Sequence, residues 1–85
     1  MQVRLKDLLI IPGIGRSIAQ DLIDLGYQHP SDLVGADPQL MYENLIRIRG
    51  THIDRCVLYT FRCAVYFASH KRHNPELLKW WKWKD

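Results

Sequence analysis

The 85-residue sequence contains only two cysteines, Cys56 and Cys63, which lie seven positions apart in a segment predicted to be helical. Two turns of helix separate such residues by about 10 Å, which is too far for a disulfide between them. We therefore expect both thiols to act as small apolar side chains in a reducing cytoplasm. A cytoplasmic location is the corresponding expectation.

Long apolar runs are also absent. Near the start of the chain, only residues 8–11 form an uninterrupted apolar stretch before Pro12. Such a stretch is too short for the core of a signal peptide or for a membrane span. We expect a single small domain without a membrane association.

The motifs of phosphate chemistry and metal binding are missing as well. Gly13 and Gly15 are not followed by the Gly-Lys-Ser/Thr of a phosphate-binding loop, and no strand pattern precedes them. His52 and Cys56 have the spacing of a helical ligand pair, but no second pair completes a zinc site. No nucleophile lies beside a base, and no carboxylates cluster. We expect no catalysis, no metal and no cofactor.

Charge is unevenly distributed along the chain. The net charge is +3, yet residues 1–44 carry three Lys or Arg against six Asp or Glu, whereas residues 45–85 carry nine against three. A basic half suits an anionic partner, although much of this charge will be solvated.

Apolar residues recur at helical spacing over most of the sequence, and no sustained period-two pattern indicates a strand. Asp37 and Asn74 precede prolines as helix N-caps do, and Thr51 and Asp54 have the spacing of a capping box. The pattern predicts an all-α bundle of five to six helices. Its segments are 5–10, 15–25, a connector turn within 30–36, 38–49, 54–70 and 75–81.

The most informative stretch lies between the first two predicted helices. Pro12 cannot continue a helix, while Gly13 and Gly15 can take positive φ and allow the chain to reverse. The second helix then begins with amides that have no internal partner, beside the positive end of its dipole. This arrangement predicts a small anion site that a phosphate can approach closely.

Residues 8–22 resemble a helix-hairpin-helix motif, on the strength of Pro12-Gly13-Ile14-Gly15, Arg16 and the small Ala19. The resemblance implies a grip on the DNA backbone without sequence preference. It predicts that the amides of Gly13, Ile14, Gly15 and Arg16 hold one phosphate. The alternative is a tight turn that only joins two packed helices.

A second copy of the motif is weaker. Ile48-Arg49-Gly50 echoes residues 11–13, but His52 replaces the second glycine, while Arg47, Arg49 and Arg55 surround the turn. A tandem helix-hairpin-helix domain is implied over about residues 3–68. Its parts are a first hairpin at about 3–25, a connector at 30–36 and a degenerate second hairpin at about 38–70. Arg49 and Arg55 would then engage the opposite DNA strand.

The whole chain also resembles a family of small single-domain helix-hairpin-helix proteins labelled pathogenicity locus or mitomycin resistance. The segments that carry this resemblance are 11–15, 24–27, 35–38, 54–59 and 75–83. That family implies binding to double-stranded DNA and no settled mechanism.

Two other segments suggest a protein partner instead. The helix predicted at 54–70 is apolar around most of its circumference, which indicates either a central core helix or a dimer surface. The end of the chain interleaves Trp and Lys, a composition that suits stacking on unpaired bases or a membrane interface. Leu77, Leu78 and Trp81 lie at helical spacing, however, which predicts packing with the lysines in solvent. The rival function is therefore a protein-interaction module, through a homodimer or another partner, with a purely structural hairpin.

Overall fold

The structure is a computed structural model that describes residues 5–85, and this part of the chain is helical with no strand. The all-α prediction is confirmed. The described residues form four α-helices, fewer than the five to six predicted, together with three short 3₁₀ helices. Val3 and Arg4, at the predicted start of the first hairpin, lie outside the described residues. The α-helices are α1 (Leu5–Leu9), α2 (Arg16–Asp24), α3 (Pro38–Arg49) and α4 (Arg55–Ser69), and the 3₁₀ helices are Pro30–Leu33, Pro75–Leu78 and Trp80–Trp83.

Helix α3 begins and ends where its sequence signals predict. The Asp37 carboxylate accepts hydrogen bonds from the amides of Gln39 and Leu40, and Pro38 occupies the first helical position. Gly50 ends the helix at φ 68°, a left-handed conformation that glycine adopts without a steric penalty.

The start of α4 differs from the prediction. Asp54, and not Thr51, is the N-cap, and its carboxylate accepts a hydrogen bond of 2.8 Å from the Cys56 amide. An aspartate carboxylate is short enough to bond the amide two residues ahead, so it caps the helix directly. The predicted capping box between Thr51 and Asp54 is therefore wrong.

The core surrounds α4, which packs against α3, the connector and both 3₁₀ helices near the end of the chain. Ala19 is fully buried on α2, where its small side chain permits close packing of α1 against α2. The turn between these helices contributes two buried isoleucines. The buried cluster consists of Leu8, Ile11, Ile14, Ala19, Leu22, Leu33, Met41, Tyr42, Leu45, Leu58, Phe61 and Ala64.

Residues 75–85, here named the tail, do not form the predicted α-helix at 75–81. They form two 3₁₀ helices, separated at Lys79 by extended backbone. The helical spacing that predicted packing of Trp81 therefore does not apply, and its ring is 49% exposed. The half-buried rings are Trp80 and Trp83, and the Trp83 indole donates a 2.8 Å hydrogen bond to the Leu77 carbonyl.

Candidate nucleic-acid interface

The turn between α1 and α2 is anchored from inside the core. Ile11 and Ile14 are buried, and the Ile14 amide donates a 3.1 Å hydrogen bond to the Ile11 carbonyl. Gly13 lies between them at φ 82°, in the left-handed region. The amide of Ile14, which the sequence predicts to hold a phosphate, is therefore already paired within the turn.

Gly15 leaves the start of α2 open. It is the N-cap with φ −94° and ψ −177°, so its backbone is extended and the predicted need for positive φ applies to Gly13 alone. The first helical bond runs from the Ala19 amide to the Gly15 carbonyl, and no side chain caps the helix. Within residues 5–85, the amides of Arg16, Ser17 and Ile18 therefore have no acceptor.

The space beside Gly15, at the start of α2, is empty of protein. A Cβ added at Gly15 would have no heavy atom within 4 Å apart from its own chain neighbours. Three unpaired amides, together with the positive end of the helix dipole, attract an anion. The start of α2 is thus an accessible position at which an anionic oxygen can approach the backbone.

Arg16 increases the positive charge at this point. It is the first residue of α2, its side chain is exposed, and the first turn contains no acidic residue. In the part of the chain that the structure describes, no carboxylate forms an ion pair with it. A cation at a helix N-terminus opposes the helix dipole, so this residue choice costs helix stability unless an anion binds there.

The tail packs against the same turn. A Cβ on Gly13 would lie 3.4 Å from Cδ1 and 3.6 Å from Cβ of Trp80, which is van der Waals contact, so this ring lies directly beside the glycine. The Lys84 ammonium lies 5.9 Å from the centre of the Trp80 ring. Sequence reasoning missed this contact because nothing in the local pattern links Trp80 to the hairpin.

Arg49 does not contribute a free charge. Its guanidinium lies 2.7 Å from a carboxylate oxygen of Asp21 and 2.7 Å from one of Asp24, and so it joins α3 to α2. Hydrogen bonds from Gln20 and then Arg49 lower the pKa of the Asp24 carboxyl group, which keeps it ionised. Two carboxylates surround one guanidinium, so this cluster is negative overall.

Arg55 is also engaged within the chain, but in a cluster of the opposite sign. Its guanidinium forms an ion pair with Asp85, and the same carboxylate lies 2.9 Å from the guanidinium of Arg62. Two cations therefore share one anion. The structure thus gathers Gly13, Gly15 and Arg16 in one turn, while it assigns Arg49 and Arg55 to separate ion-pair clusters.

The start of α4, which follows the second turn, is closed by the chain itself. The Asp54 carboxylate occupies the position that an external anion would take, and the hydrogen bond from the Cys56 amide lowers the pKa of Asp54. No group of three His, Cys, Asp or Glu residues within 5–85 is arranged to hold a metal. None of the helices in that range is long and apolar enough to cross a membrane.

Comparison with known proteins identifies the family of this chain but no individual relative. No curated protein and no solved structure shows a significant match to this sequence. The family model Cdd1, described as Pathogenicity locus, matches residues 1–85. The chain therefore belongs to the Pathogenicity locus family.

Proposed function

We propose that this protein binds double-stranded DNA through its phosphate backbone, without sequence preference and without catalysis. The first hairpin is the principal contact. The amides at the start of α2, those of Arg16, Ser17 and Ile18, would hold one phosphate, with the Arg16 guanidinium beside it. Gly13 and Gly15 allow the approach, the first by shaping the turn and the second by lacking a side chain.

The observation that carries the proposal is the uncapped start of α2. Helix N-termini in folded proteins are usually capped by a short polar side chain, because unpaired amides are unfavourable. Here the N-cap is a glycine, the space before it is open, and the first helical residue is an exposed arginine. Each of these three features favours an anionic ligand over helix stability alone.

The second hairpin has a smaller role in this proposal. We infer a tandem helix-hairpin-helix arrangement, in which residues 38–70 follow the first hairpin as a degenerate copy. The proposal assigns no phosphate contact to Arg49, because Asp21 and Asp24 already hold it in a cluster that is negative overall. Arg55 remains a candidate contact because its cluster contains two guanidiniums and one carboxylate.

A titration of fluorescent duplex DNA at several salt concentrations tests the proposal. We expect weak binding in the non-specific range, with Kd of about 1–100 μM at physiological salt and equal affinity for unrelated sequences. Since few phosphates are contacted, log K should fall with log salt at a slope of about −2 to −4. Arg16→Ala should weaken binding and flatten this slope by about one unit.

Arg47→Ala is the matched control. Arg47 is an exposed arginine in the last turn of α3, and within residues 5–85 it has no ion-pair partner. Its replacement by alanine changes the net charge of the protein by the same amount as Arg16→Ala does. The slope should stay unchanged in this variant. Failure of the wild-type protein to bind DNA at low salt would refute the proposal, as would equal effects of the two substitutions.

A protein-interaction module is the second candidate, and the exposed apolar side chains favour it. Among residues 5–85, five large hydrophobic residues are about half exposed or more, and they are Ile10, Val34, Leu40, Ile48 and Trp81. Paired Trp81→Ser and Arg16→Ala variants separate the two functions. The DNA proposal predicts that Trp81→Ser leaves DNA affinity unchanged. An interaction module predicts instead that Trp81→Ser lowers the apparent mass in light scattering and that Arg16→Ala has no effect on that mass.

A further inference from the structure

Arg55, Tyr59 and Arg62 form a basic and aromatic cluster on one face of α4. The three residues recur at helical spacing, and both guanidinium carbons lie near the Tyr59 ring, at 5.9 Å and 5.6 Å from its centre. Cations at such distances interact favourably with an aromatic face. The ring therefore holds the two guanidiniums on the same side of the helix.

Arg62 is oriented further by the backbone. Its Nη1 atom donates a 2.7 Å hydrogen bond to the Trp83 carbonyl and also lies 2.9 Å from the Asp85 carboxylate. One oxygen of Asp85 contacts Arg62 and the other contacts Arg55. Two guanidiniums that converge on one carboxylate also suit the oxygens of a phosphate group.

We propose that Arg55 and Arg62, with Tyr59 between them, form a second DNA-phosphate site, in which the Asp85 carboxylate occupies the place of the phosphate in the unbound protein. This inference rests on the proposed function, because it assigns a second contact to the same ligand. Asp85 competes with that ligand, and DNA binding requires its displacement.

Three observations indicate that displacement is feasible. The side chain of Asp85 is 51% exposed and that of Arg55 is 48% exposed, and exposed ion pairs contribute little individually. The side chains of the cluster, two guanidiniums and one carboxylate, remain positive in sum while Asp85 is bound, so they still attract an approaching phosphate. The tail also stays attached without Asp85, through the bonds that the Trp83 carbonyl and indole make to Arg62 and Leu77.

Asp85→Asn tests the competition, and Glu76→Gln is its matched control. Glu76 likewise holds two cations, since its carboxylate lies 3.2 Å from Lys79 and 3.8 Å from Lys82. Each substitution removes one negative charge and releases two positive ones. In the control, however, the released cations are lysines of the tail, without an aromatic ring between them.

Fluorescence anisotropy with duplex DNA should distinguish the two variants. We expect Asp85→Asn to bind about two- to five-fold more tightly at low salt, with a slope of log K against log salt steeper by about one unit. The DNA affinity of Glu76→Gln should increase by less than about two-fold. Adding Arg55→Gln to Asp85→Asn should abolish the gain. Equal gains in the two single variants, or a gain that persists in the double variant, would overturn the inference.

A second measurement covers the case in which the wild-type protein does not bind DNA. The Arg Nε–Hε signals are followed by NMR while inorganic pyrophosphate is added to the full chain. We expect the Arg55 and Arg62 signals to shift in the wild-type protein and to shift at lower pyrophosphate concentration in Asp85→Asn. Shifts without DNA binding would support this anion site and refute the hairpin proposal, whereas unmoved signals in both proteins would refute the site.

Discussion

The two helices that follow the two turns begin in opposite ways. Helix α2 begins at Gly15, which has no side chain to cap it, and its first residue is an exposed arginine. Helix α4 begins at Asp54, whose carboxylate accepts a hydrogen bond from the amide of Cys56. An external anion can therefore approach the first helix start, whereas the chain's own carboxylate occupies the second.

The arginines around the turns show the same difference. Arg16 has no ion-pair partner within the described range, while Asp21 and Asp24 hold Arg49. The two turns thus differ, because the helix start and the arginine at the first have no partner within the described range, whereas those at the second are held by carboxylates of the chain. Four predictions test this contrast, in order of decreasing expected effect.

The largest expected effect is that of Gly15→Asp on DNA binding. The backbone at Gly15 is extended and a Cβ there meets no atom within 4 Å, so the substitution fits the fold. An aspartate N-cap stabilises a helix and would close the start of α2 as Asp54 closes α4. We expect DNA affinity to fall about tenfold or more, because charge-assisted bonds to the phosphate are lost.

Gly15→Ala provides the control for that variant. It adds only a methyl group and no charge, so it should reduce affinity less than Gly15→Asp does. Thermal melting should show that the aspartate variant is at least as stable as the wild type. A stable Gly15→Asp protein with unchanged DNA affinity would remove α2 from the proposed interface.

The next prediction compares Gly13→Ala with Gly50→Ala. Both glycines have positive φ, 82° and 68°, so alanine costs roughly 1–2 kcal/mol at either position. At Gly13 the new methyl group reaches van der Waals contact with Trp80, which limits how far the strained backbone can relax, whereas the space at Gly50 is open. Gly13→Ala should therefore lower the free energy of unfolding by more, as measured by urea denaturation. Equal losses would show that Trp80 does not support the first turn.

Removing the α4 cap should have an intermediate effect. Asp54→Ala leaves the Cys56 amide without its acceptor, and we expect the melting temperature to fall by several degrees. Because the folded state lowers the pKa of Asp54, its stabilisation is present above the unfolded pKa of about 4 and is lost as pH falls through the folded value. The difference in melting temperature between wild type and Asp54→Ala should thus shrink in acid. A difference that is constant down to low pH would contradict this assignment.

Arg49→Gln should have the smallest effect on DNA binding. The substitution removes the ion pairs between α3 and α2, so a modest loss of thermal stability is expected. The slope of log K against log salt should remain that of the wild type, because no phosphate contact is lost. A slope flatter by about one unit would mean that Arg49 contacts phosphate after all.

The sequence predicted the helices best where the signals are local. Helix α3 was predicted at 38–49 and found at Pro38–Arg49, because Asp37, Pro38 and Gly50 fix both ends through neighbouring atoms. Helix α4, predicted at 54–70, was found at Arg55–Ser69. In the tail, alternating Trp and Lys residues suit an α-helix as well as a 3₁₀ helix, so local pattern could not decide between them.

The candidate site was predictable only in its first turn. The glycines and Arg16 are close in sequence, and their chemistry follows from the turn itself. The pairing of Arg55 with Asp85 spans 30 residues, and that of Arg49 with Asp21 spans 28. Such pairs depend on how the helices pack, so the sequence showed the arginines as a basic group without showing which carboxylates hold them.

The most direct measurement is an NMR titration of backbone amides with a short duplex DNA. The open start of α2 predicts that the amide signals of Arg16, Ser17 and Ile18 shift together and saturate at one affinity, while the signals of Gln39 and Leu40, whose amides Asp37 caps at the start of α3, do not shift. Shifts confined to α4 or to the exposed apolar residues, with the α2 amides unmoved, would contradict the phosphate grip.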